Sequence, residues 1–113
     1  MRNDFWKKLT APIPLYTEGN VRDTIAYIDE RQSLPFAKLF KTALTYVQSQ
    51  LTGSSFEGHV ADVSRIGGAY RAAAHMHDNA IHAGEFIAAV RWRYVMEALS
   101  DYRKSLISKE AVI

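Results

Sequence analysis

The stretch from Ser54 to Ile107 constrains the fold of this chain more than any other part of the sequence. No proline interrupts it, and apolar residues recur in it every three or four positions. That spacing is typical of amphipathic α-helices, in which residues i, i+3 and i+4 share one face. Because the stretch makes up nearly half of a 113-residue chain, it predicts a protein built from long helices.

The apolar face changes direction along this stretch, which predicts two helices, over 55–79 and 84–107. The first apolar stripe consists of Val63, Ile66, Tyr70, Ala73, Ala74, His77 and Ile81. The second is rotated by roughly a quarter turn at 100° per residue and consists of Ile87, Val90, Tyr94, Ala98 and Tyr102. One straight helix cannot direct both stripes to a single core, so a turn is expected between Asn79 and Gly84.

Two local features belong to the predicted 55–79 helix. Ser54 and Glu57 have the spacing of a capping box, which predicts its start. Gly67 and Gly68 lie in its middle, where each glycine costs roughly 1 kcal/mol relative to alanine. The glycine pair therefore predicts a close helix crossing or a kink.

A third helix is predicted over 34–52. Ser33 is its expected N-cap, Pro35 falls in its first turn, and Gly53 is placed to end it in the left-handed conformation. Its apolar stripe contains Phe36, Phe40, Ala43, Leu44, Val47 and Leu51.

A shorter helix is predicted over 20–31, with Asn20 as its N-cap and one apolar face. Residues 1–19 form an arm and connector, in which Phe5 and Trp6 precede two prolines, and residues 108–113 form a frayed tail. The predicted fold is all-α: a single domain, 1–113, with four principal helices in a small bundle and a short N-terminal aromatic arm.

Composition restricts the function classes. The formal net charge is only +2, which neither requires nor excludes a nucleic-acid partner. The longest apolar run is too short to cross a membrane. The absence of cysteine and of a secretory leader favours a cytoplasmic location without disulfides. No motif for a cofactor is recognised, so none is expected.

The last predicted helix carries a second apolar stripe besides its core stripe. This stripe consists of Trp92, Met96, Leu99 and Arg103. A helix that is apolar on two sides is either central in its bundle or covered by another chain. Trp, Met and Arg are enriched in interface cores, so the stripe is predicted to be a protein-binding surface, most simply a homodimer contact.

An enzymatic alternative rests on Arg71 and His77. These residues, separated by five others, resemble the Arg-x(4–6)-His motif of helical ribonucleases of the HEPN type. The resemblance implies a small helical bundle that cleaves RNA, with Arg71 and His77 as catalytic residues and the histidine activating in-line attack. The polar residue that often follows the arginine in that family is replaced here by Ala72.

A polar arc runs along the 55–79 helix and beyond it: Arg71, His75, Asp78, His82 and Glu85. We interpret this arc as a solvated face. Should it hold a metal, the ligands would be His75, Asp78 and His82, because helices present ligands at i+3 and i+4.

A further alternative is nucleic-acid binding through Arg91, Arg93 and Lys104, which lie among aromatic residues suited to stacking on bases. The interpretation that the sequence favours is a small, non-enzymatic helical protein that binds another protein or itself through its C-terminal helix. Accessory or inhibitor proteins fit such a description.

Overall fold

The computed structural model describes residues 17–56 and 62–112, with side chains up to residue 108. These residues form four α-helices and no strand. The helices are α1 (Glu18–Asp29), α2 (Ala37–Thr52), α3 (Val63–His82) and α4 (Phe86–Val112). The predicted all-α bundle of four principal helices is therefore confirmed. Phe5 and Trp6 of the predicted arm lie outside the described residues.

The first helix, α1, begins and ends two residues before the predicted 20–31 helix. Its N-cap is Thr17, whose side-chain oxygen accepts a hydrogen bond from the backbone N–H of Asn20 at 3.1 Å. Asn20 is thus inside the helix, and the prediction that it caps the helix was wrong. Val21, Thr24 and Ile28 form the buried face.

The second helix, α2, starts at Ala37, three residues later than predicted. Ser33 and Pro35 lie in the preceding turn, and Phe36 is the N-cap residue with a left-handed φ of 65°. This conformation is uncommon for a residue with a side chain. At the other end Gly53 has a φ of 70°, which confirms the predicted left-handed C-cap.

The third helix, α3, begins at Val63, so the predicted start at 55 was wrong. Asp62 caps it: a carboxylate oxygen accepts from the backbone N–H of Ser64 at 3.0 Å. This hydrogen bond holds the pKa of the Asp62 carboxyl below its usual range.

Phe56, at the predicted helix start, is instead a packed loop residue. Its ring meets Tyr46 of α2 edge-on at 5.6 Å and Tyr102 of α4 at 5.9 Å between ring centroids. Ser54 to Phe56 lie outside any helix. Glu57, the other member of the predicted capping box, lies outside the described residues.

The predicted turn between the two long helices is confirmed. Residues 83–85 separate α3 from α4, and Gly84 has a left-handed φ of 73°. Its N–H donates to the Ile81 carbonyl at 3.1 Å, and the Glu85 N–H donates to the Ala80 carbonyl at 2.8 Å. The turn closes α3 and α4 into a helical hairpin.

The last helix, α4, is central: it packs against each of the other three, whereas α2 and α3 touch at few positions. It continues to Val112, five residues beyond its predicted end. The Trp92 ring contacts Tyr27 of α1 at 5.8 Å and Phe40 of α2 at 5.4 Å. None of the described helices is both long and apolar enough to span a bilayer.

The Phe36 ring packs against Gly68 of α3, which explains one of the two mid-helix glycines. A Cβ atom added at Gly68 would lie 3.3 Å from Cζ of Phe36. The left-handed residue before α2 therefore places its ring on the bare backbone of α3. Gly67 has no neighbour within 4 Å of its would-be Cβ, so the close approach is made by a ring and not by a second helix backbone.

Candidate functional site

The stripe that the sequence predicts as a protein-binding surface lies mostly inside the molecule. Trp92 is 1% exposed and Leu99 is not exposed at all. Met96 is half-buried and packs against the core, and Arg103 alone is exposed. The prediction that this stripe forms an exposed surface was therefore wrong for Trp92 and Leu99.

The position of α4 explains this difference. Because α4 packs against α1, α2 and α3, it needs apolar residues on more than one side. The rings of Tyr27 and Phe40 meet Trp92 edge-on, an arrangement that aromatic pairs favour. The stripe is therefore covered by helices of the same chain. Its second apolar side reflects the central position of α4 in the bundle and not contact with another chain.

The predicted core stripe of α4 is divided between interior and surface. Tyr94, Ala98 and Tyr102 are buried, as predicted. Ile87 is 78% exposed and Val90 is 37% exposed, so the prediction was wrong for these two. Phe86, which the sequence assigned to neither stripe, is 43% exposed beside them.

Phe86, Ile87 and Val90 form what we call the entry patch, in the first two turns of α4. At 100° per residue, Phe86 and Val90 lie about 40° apart, and Ile87 lies about 60° from Val90. The three side chains thus share one arc of the helix surface. The arc follows directly after the Gly84 turn, at the tip of the α3–α4 hairpin.

Charges of both signs surround the entry patch. Glu85 precedes it and is exposed. Arg91 follows it and lies 3.9 Å from Asp23 of α1, between a guanidinium nitrogen and a carboxylate oxygen. Arg93, two residues beyond Arg91 on α4, is half-buried. The patch is therefore apolar at its centre, with a rim that is neither strongly basic nor strongly acidic.

The polar arc of α3 faces solvent, as the sequence predicts. Arg71, His75, Asp78, His82 and Glu85 are all exposed. Within the described ranges, 17–56 and 62–112, no three His, Asp or Glu side chains are grouped so that they could hold a metal ion. The structure thus does not bring His75, Asp78 and His82 together.

His77 lies between core and surface. Its side chain is 21% exposed, less than the exposed His75 and His82 but more than a core residue. Its Nδ1 lies 3.4 Å from a carboxylate oxygen of Asp78, the adjacent residue, at the long end of hydrogen bonding. The His77–Asp78 contact does not test whether Arg71 and His77 act together as they would in a ribonuclease, so that pair stays a prediction.

The three basic residues considered for nucleic acid have different surroundings. Arg91 is half-buried beside Asp23, Arg93 is half-buried, and Lys104 is exposed. Lys104 lines an open groove of about 390 Å³ between the C-terminal halves of α2 and α4, together with Asp101. An acidic neighbour in the same groove weakens its attraction for phosphate.

The same groove contains Leu51 of α2, which is 43% exposed. The sequence placed Leu51 in the core stripe of α2, and no pattern in the sequence distinguishes it from the buried Val47. A second open groove, of about 410 Å³, runs along the outer side of α2 and is lined by Lys38, Lys41 and Phe56. Lys41 there forms an ion pair with Asp29 at 2.9 Å.

Comparison with known proteins adds no family. A scan against protein-family models, a search of curated proteins and a search of solved structures each found no significant match to this chain.

Proposed function

We propose that this chain is a small, non-enzymatic interaction protein that binds another protein, or itself, through α4. The observation that supports this proposal is the entry patch. Ile87 is 78% exposed on a helix whose other large apolar residues are mostly buried. Single exposed apolar residues are ordinary in proteins, but three on adjacent turns form a contiguous patch of the kind that marks interaction sites.

The energetics of the patch favour a partner. Covering apolar area gains roughly 25 cal/mol per Å². The patch sits on a helix that is anchored on three sides, so little conformational entropy is lost when it is covered. A rigid apolar centre with a mixed polar rim has the composition of a protein–protein interface.

The test is capture of a partner with Ile87→Asp as the deciding variant. The tagged protein is used to isolate complexes from its native source, and the mass of each complex is determined. We expect Ile87→Asp to lower the affinity for the partner by about tenfold or more, because a buried carboxylate is costly to desolvate. Circular dichroism should show that helicity is unchanged.

The matched control is Leu51→Asp. Leu51 is exposed to the same extent as Phe86, 43%, but lies on α2 and not on α4. Binding that survives Leu51→Asp but not Ile87→Asp supports the entry patch. A partner that both variants still bind at the wild-type level would contradict the proposal.

A further inference from the structure

We draw no further inference here: the strongest candidate, the exposed apolar entry patch in the first two turns of α4, belongs to the site already described, and nothing among the described residues shows what covers it.

Discussion

Gly67 and Gly68 are neighbours in α3 but have different surroundings. A methyl group at Gly67 would meet nothing within 4 Å, whereas one at Gly68 would press on the Phe36 ring at 3.3 Å. Replacing a helical glycine by alanine gains roughly 1 kcal/mol where there is space. We expect Gly67→Ala to raise the free energy of unfolding by about that amount, measured by urea denaturation.

Gly68→Ala should be less stable than Gly67→Ala by about 1 kcal/mol or more. The same helix propensity is gained, but Phe36 must move, and its left-handed backbone leaves its ring few alternatives. Equal denaturation midpoints for the two variants would show that the ring yields freely and that the contact does not constrain the fold.

Asp62 connects the stability of α3 to pH. Its folded-state pKa is lowered, first of all by the backbone hydrogen bond from Ser64. A lowered pKa means that the ionised cap stabilises the fold above the unfolded-state pKa, and that this contribution is lost as pH falls through the folded value. Asn caps helices as well as Asp but does not titrate.

The stability difference between wild type and Asp62→Asn should therefore shrink as pH is lowered from about 5 to about 2. Thermal denaturation followed by circular dichroism over that range measures it. Two stability curves that run parallel at every pH would mean that the cap charge contributes nothing.

At the scale of single residues, the sequence predicts backbone conformation where few residue types can adopt it. Gly53 and Gly84 were identified as turn residues, and both have a left-handed φ, which glycine adopts without steric cost. The cap Thr17 was missed because Asn20, three positions later, is an equally good N-cap by residue type. The cap Asp62 was missed because Ser54 and Glu57 have the spacing of a capping box. Nothing in the sequence marks Phe36 as left-handed.

Among the elements, α4 shows how far apolar spacing can be interpreted. Spacing identified both of its apolar stripes but not which of them would be covered from within the chain. That depends on how many neighbours the helix has, and α4 has three. For this reason Trp92, which was expected at a binding surface, is buried, and Ile87, which was expected in the core, is exposed.

Substitutions on α4 should separate the two roles. Trp92→Ala removes a ring that is 1% exposed and packs on Tyr27 and Phe40, so it should cost about 3–5 kcal/mol of unfolding free energy. Ile87→Ala should change it by no more than about 0.5 kcal/mol in dilute solution.

Urea denaturation measures both changes, and Trp92→Phe offers a milder variant should Trp92→Ala not fold. If Trp92→Ala keeps the stability of the wild type and loses only self-association, Trp92 belongs to a binding surface, as the sequence predicts, and not to the core.

For the molecule as a whole, the bundle could be predicted but the site could not. The bundle follows from local signals: helical periodicity, the absence of proline from Ser54 to Ile107, and the turn at Gly84. Each signal predicts where a helix forms or ends, and together they predict four helices. The entry patch depends instead on where neighbouring helices stop covering α4, near the tip of the hairpin. That boundary is a property of tertiary packing, and residues such as Val90 and Tyr94 follow the same spacing on both sides of it.

The central position of α4 also determines when the protein can fold during its synthesis. Of the four helices the ribosome makes α4 last, yet Trp92 and Tyr102 supply the surfaces on which α1, α2 and the Phe56 loop pack. Domains usually acquire structure as their N-terminal parts emerge. Here the earlier helices have no complete core until α4 has left the exit tunnel, so Phe40 and Tyr46 lack their aromatic partners Trp92 and Tyr102 until that point.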